Sequence, residues 1–155
     1  MTLWTPEEAT RELLSVLPLL SRIMAAELRH EPGDETTMPQ FRVLAYLDDG
    51  PLTLSVIAKR RRVSLQSAGD LVQVLVERGW ITRTPDPKDR RQWLLNLTEQ
   101  GMAKYQQAQD GMLRRLVPLI GNLSDEEIAA VQIAMPALHR VLTGQEEIED
   151  GSEPG

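Results

Sequence analysis

A mainly α-helical fold with a small two-stranded β-ribbon is predicted by three observations on these 155 residues. Apolar residues recur at spacings of three and four along most of the chain. Thr or Ser opens one segment after another, often with Pro next and Glu or Gln three positions on. The pattern changes only at Trp80-Ile81-Thr82-Arg83 and Gln92-Trp93-Leu94-Leu95-Asn96-Leu97, two β-forming runs joined by a Pro/Asp turn segment.

In order, Thr5-Pro6-Glu7-Glu8 starts a helix that reaches about Arg29. Its stripe of Leu13, Leu14, Leu17, Leu20, Ile23, Met24 and Leu28 is wider than a small domain needs to bury a terminal helix. Pro32-Gly33-Asp34 breaks the chain, and Thr37-Met38-Pro39-Gln40 repeats the start signal for a helix carrying Phe41, Val43, Leu44, Tyr46 and Leu47. After Asp48-Asp49-Gly50-Pro51, Thr53 caps a short helix with Leu54, Ile57 and Ala58 inward, ending near Arg61. Ser64 caps the next, whose buried stripe is Ala68, Leu71, Val72, Leu75 and Val76; Gly79 stands where a left-handed C-terminal residue belongs. Its opposite face, Gln66, Ser67, Gly69, Asp70 and Gln73, is short and polar, a surface able to enter a groove and bond base edges. Two helices and a tight turn followed by a ribbon with a basic tip form a winged helix-turn-helix. Thr98 then caps a long helix toward Ile120, weakened by Gly101 and Gly111 and expected to kink near Pro118. Ser124-Asp125-Glu126-Glu127 caps the last, with Ile128, Val131, Met135, Leu138 and Leu142 on one side and a bend at Pro136. The acidic tail from Gln145 is expected to be disordered.

The expected organisation is residues 1–36 as an N-terminal dimerisation helix, 37–98 as the winged helix-turn-helix, 99–144 as C-terminal dimerisation helices and 145–155 as the tail. An isologous two-fold contact is the economical way to cover the outer stripes, with Leu13, Leu17, Leu20, Leu116, Val131, Leu138 and Leu142 at the interface. Two recognition helices and two wings would then face one side.

Net charge is −6, yet from Ile57 to Arg91 nine basic residues stand against four acidic ones, a local +5 that leaves −11 for the remainder. That polarity suits a chain presenting one face to a polyanion. The absence of cysteine excludes disulfides, thiolate metal sites and cysteine redox sensing. His30 and His139 have no neighbouring ligand pattern or catalytic partner, so neither metal, cofactor nor enzymatic chemistry is expected. With no membrane-length apolar run and no basic-then-apolar leader, the chain is expected in the cytoplasm.

The run from Leu52 through Gly101, above all "DPKDRRQWLLNLTEQG", resembles the winged-helix core of the MarR (multiple antibiotic resistance regulator) family, in which Asp-x-Arg, a short strand and Leu-Thr lead from the wing into a long helix. Asp89, Arg91, Leu97 and Thr98 match that pattern. The family's turn before the recognition helix usually contains Gly; here Arg62 occupies it, which leaves the turn geometry open. The resemblance implies a homodimeric regulator, most often a repressor, on an inverted-repeat double-stranded operator. It implies Arg91 in the minor groove with Asp89 holding its guanidinium. Lys88 and Arg90 are expected on phosphates, along with some of Arg60, Arg61 and Arg62. Ser64, Gln66, Ser67 and Gln73 are the candidates for the DNA-reading face, Gln66 the best of them for adenine. Asp70 would repel phosphate unless it bonds a cytosine amino group or an arginine. The resemblance also implies a small, often anionic aromatic effector in a cleft bordered by some of Met24, Leu28, His30, Phe41, Arg42 and Tyr46, residues that equally suit plain packing of the helical junction. A winged helix can instead serve as a protein-interaction module. Steep salt dependence of DNA binding separates the two readings.

Overall fold

Leu44, Ile57, Leu75, Ile81 and Leu95 come from five different elements and are all at or below 2% exposure, so the centre of the molecule lies within the helix-turn-helix and its ribbon. The computed structural model describes residues 3–30 and 35–149, and side chains as far as 144. Six helices and three strands follow in the order α1 (Pro6–Leu28), α2 (Met38–Asp48), β1 (Leu52–Thr53), α3 (Leu54–Arg61), α4 (Leu65–Glu77), β2 (Ile81–Pro85), β3 (Trp93–Leu97), α5 (Glu99–Ile120) and α6 (Asp125–Glu149).

The caps act as the residues predict. Thr5 accepts from the Glu8 N–H at 3.2 Å while Glu8 accepts from the Thr5 N–H at 2.8 Å, which also draws the Glu8 carboxyl below its usual range. Thr37 and Gln40 repeat the box, so the buried Gln40 amide oxygen has a partner. Ser124 and Glu127 close a third. The helices continue through Pro18, Pro118 and Pro136 without a break in assignment. Among the described residues no helix is long and apolar enough to cross a membrane.

The ribbon has three strands rather than two. β1 pairs antiparallel with β3 through Leu52 and Leu95, giving the order β1-β3-β2. Two residues carry no alternation to read, which is why this strand escapes prediction. The β2–β3 hairpin runs from Ile81 opposite Leu97 out to Pro85 opposite Trp93, and residues 86–92 form its tip.

Gly101 does not act as a helix weakener. A Cβ there would lie 2.0 Å from the Trp80 carbonyl oxygen, so the missing side chain is what lets α5 dock on the base of the wing. Thr98 fastens the same junction: its hydroxyl donates to the Gly79 carbonyl at 2.6 Å and accepts from the Gly101 N–H at 3.0 Å. Gly111 likewise admits Glu27 of α1, whose Oε1 would be 2.7 Å from an added Cβ. The buried Trp80 ring has two cations near it, Arg78 at 4.6 Å and Lys104 at 5.5 Å, which ties the end of α4 to α5.

The outer helices are another matter. Leu14, Leu17 and Leu19 on α1, Leu113 and Val117 on α5, and Ile133, Val141 and Leu142 on α6 are each more than half exposed, and α6 buries none of its described side chains. The tail expected to be disordered from Gln145 is helical as far as Glu149, the end of α6. Residues 150–155, and the chain break expected at Pro32-Gly33-Asp34, lie outside the described residues.

Candidate nucleic-acid interface

Arg62 makes the turn between α3 and α4 at φ 53°, ψ 46°, left-handed geometry that costs a residue with a Cβ roughly 1–2 kcal/mol. The backbone therefore adopts here what glycine would adopt freely, and the turn closes despite the arginine. It delivers α4 with Ser64 as cap: the Ser67 N–H donates to Ser64 Oγ at 3.1 Å, and Ser64 Oγ donates to Ser67 Oγ at 3.0 Å. Both serines are thus engaged with each other at the helix start. The exposed Leu65 and Gln66 stand between them with no side-chain hydrogen bond among the described residues. An α-helix N-terminus also directs its unpaired N–H groups and positive dipole end toward phosphate.

Gln73, expected to read bases, is already occupied. Its amide oxygen accepts from Arg83 of β2 at 2.9 Å and its amide nitrogen donates to Glu77 at 3.0 Å. It therefore braces the wing against α4. Asp89 also departs from expectation: one carboxylate oxygen accepts from the Arg91 backbone N–H at 3.0 Å and the other from the Gln92 side chain at 3.3 Å. It shapes the wing turn rather than holding the Arg91 guanidinium, which stays exposed. Asp86 does the same for the Lys88 N–H at 2.9 Å. Lys88 and Arg90 are exposed at the tip, and Asp70 is exposed on α4.

Of the four consecutive cations, Arg60 lies 5.5 Å from the Tyr46 ring and so faces α2, while Lys59 and Arg62 also make interactions within the protein. Arg61 is partly buried. The wing, α4 and the β1–α3 corner at Thr53 and Leu54 enclose a groove of about 250 Å³, bordered also by Leu65 from the helix start, Arg83 and Arg91 from the wing, and Trp93, 54% exposed. The structure thereby brings the start of α4 and the wing arginine to one concave, positively charged face.

A second cleft, of about 100 Å³, opens between α1 and α5 and is lined by Glu27, Leu28, His30, Thr36, Lys104 and Arg114 among others. Thr36 is 2% exposed and its hydroxyl has no hydrogen-bond partner among the described residues. Of the six residues expected around an effector, only Leu28 and His30 border this cleft. Phe41 is buried against Tyr105, ring centroids 5.4 Å apart; Tyr46 is half-buried beneath Arg60; Met24 packs against the core; Arg42 is exposed elsewhere on α2. Sequence periodicity had no means of finding Thr36, Lys104 or Arg114, which meet only when α1 and α5 close at Gly111.

The MarR family model matches residues 36–92, the stretch from α2 to the wing tip. The HTH-type transcriptional repressor MdtR of Bacillus subtilis (strain 168) is 30% identical over 116 residues, covering 74% of this chain and 75% of that protein. The chain belongs to the MarR family. Among solved structures it resembles wild-type MarR from E. coli in its apo form, with a TM-score of 0.72 and 26% identity over 88% of this chain and 98% of that one. It also resembles a mutant E. coli MarR complexed with operator DNA, with a TM-score of 0.63 and 27% identity over 83% of this chain and 91% of that one. MarR-family proteins are DNA-binding transcriptional regulators and not enzymes, and this chain has their winged helix-turn-helix.

Proposed function

We propose that this protein is a cytoplasmic, homodimeric MarR-type repressor that binds an inverted-repeat operator and is released by a small anionic effector. The observation that carries the DNA-binding part is the groove in which the first turn of α4 meets Arg83 and Arg91 of the wing, inside the segment of net charge +5. Repression is supported by the relative MdtR, itself described as a repressor. The exposed apolar stripes of α1, α5 and α6 support the homodimer, with Leu13, Leu17, Leu20, Leu116, Val131, Leu138 and Leu142 as its contacts. The decisive measurement is DNA affinity across a salt series with a footprint on the bound duplex. Affinity falling steeply with salt, over two protected half-sites, is expected. Salt-insensitive binding to a protein partner, with no footprint, replaces this reading by the interaction module.

The α1–α5 cleft is the effector site we propose, in place of the α2 residues. Lys104 and Arg114 there favour an anion, and the Thr36 hydroxyl offers a buried bonding group. Lys104 also faces the Trp80 ring, and Arg78, which lies over the same ring, donates to the Glu35 carbonyl at 2.8 Å, next to Thr36. A ligand drawing on Lys104 therefore acts at the junction that seats the wing and α4. Benzoic and phenolic acids titrated into the protein–DNA complex should release DNA, and Thr36→Val with Arg114→Met should abolish that release while leaving DNA affinity without ligand largely intact. Release that survives both substitutions removes the cleft from consideration.

A further inference from the structure

Leu65 is a large apolar side chain, 56% exposed, at the first helical position of α4. Single exposed leucines are ordinary on protein surfaces, so the argument rests on where this one stands. It borders the same groove as Arg83 and Arg91, and the neighbouring polar side chains are disposed around it in a particular way. Ser64 and Ser67 are bonded to one another, and Gln73 is held between Arg83 and Glu77. Leu65 and Gln66 are left as exposed residues of the first turn, one without a polar side chain and the other with an amide that has no partner among the described residues. Residues at the start of a recognition helix are those that reach base edges. In the major groove an A·T pair offers an amide-matching edge on adenine and a C5-methyl on thymine, the one apolar group any base presents there.

We infer that Leu65 is a specificity-determining residue that covers a thymine C5-methyl, beside the adenine contact of Gln66, so that each half-site carries an A·T-containing step under the first turn of α4. This rests on the DNA-binding reading above.

Replacing thymine by uracil removes that methyl and alters nothing else on the base. Synthetic duplexes selected by the wild-type protein from a randomised library would be remade with single thymine-to-uracil changes and their affinities measured at fixed salt. One position in each half-site should lose about fourfold, the equivalent of one buried methyl-sized group at about 0.8 kcal/mol. In Leu65→Ala the same change should have no effect, and in Leu65→Met, which retains an apolar side chain, it should regain one. Because Leu65 is exposed, both variants should keep the wild-type thermal midpoint. Uniform tolerance of uracil by the wild type overturns the inference, as does a full uracil penalty persisting in Leu65→Ala. Failure to select any preferred duplex removes the sequence-specific DNA reading itself, an outcome distinct from the other two.

Discussion

Two backbone positions bear most directly on how the DNA-binding face is set. At Gly101 an added Cβ meets backbone 2.0 Å away, and neither the helix nor the Trp80 peptide can yield independently. Gly101→Ala should therefore destabilise the protein by about 1–3 kcal/mol or more, as overpacking does, read as a lower urea midpoint. A change within about 0.5 kcal/mol would mean that α5 does not dock so closely. Arg62 presents the opposite case, a side chain where glycine would relieve strain. Arg62→Gly should raise unfolding free energy by about 1 kcal/mol in denaturant titration, reduced by whatever its interactions within the protein contribute, and lower DNA affinity by the loss of one cation.

Between elements, the Gln73 amide is a side-chain tie from α4 to the wing. With Gln73 bonded to both Arg83 and Glu77, Gln73→Ala should loosen β2 against the helix and weaken binding by a similar factor on every duplex. Gln66→Ala should instead flatten sequence preference, at about 1–3 kcal/mol for a paired base contact. Competition assays on matched and mismatched duplexes separate the two, and similar behaviour of both variants would contradict the division. In the wing itself, the exposed Arg91 borders the groove while Lys88 sits at the tip. Arg91→Ala should cost more than Lys88→Ala, and more on A·T-rich flanks, where a narrow minor groove concentrates negative potential. Equal losses on A·T-rich and G·C-rich flanks would place Arg91 on phosphate alone.

For the whole molecule, the exposed leucines, valines and isoleucines on α1, α5 and α6 set the expectation. Fully burying such a side chain contributes up to about 1.5–3 kcal/mol, so a two-fold contact that covers most of them should give a tight dimer. Leu17→Glu with Leu142→Glu should yield a monomer by sedimentation, and with it loss of operator binding, since half-site centres about one helical turn apart, roughly 10 base pairs, require both recognition helices. A charged double variant that remains dimeric would move the interface elsewhere.

The helices, their caps and the turn chemistry of the wing were legible because each signal is local. Thr5 with Glu8, Thr37 with Gln40 and Ser124 with Glu127 are three residues apart in sequence and remain partners in space. The basic face was legible for a similar reason, since its charges are contiguous along the chain. What escaped depends on approach between distant segments: Thr98 on Gly79, Arg83 on Gln73, Arg78 on Glu35, 19, 10 and 43 positions apart. Approach of this kind turned Gly101 from a helix weakener into a docking site and joined Gln73 to the wing, while packing on α5 buried Phe41 against Tyr105 and formed the α1–α5 cleft around Thr36. Local propensity has no term for which surface a helix will meet. That choice belongs to packing, where a missing methyl group or one engaged amide decides which side chains remain available to DNA or to a ligand.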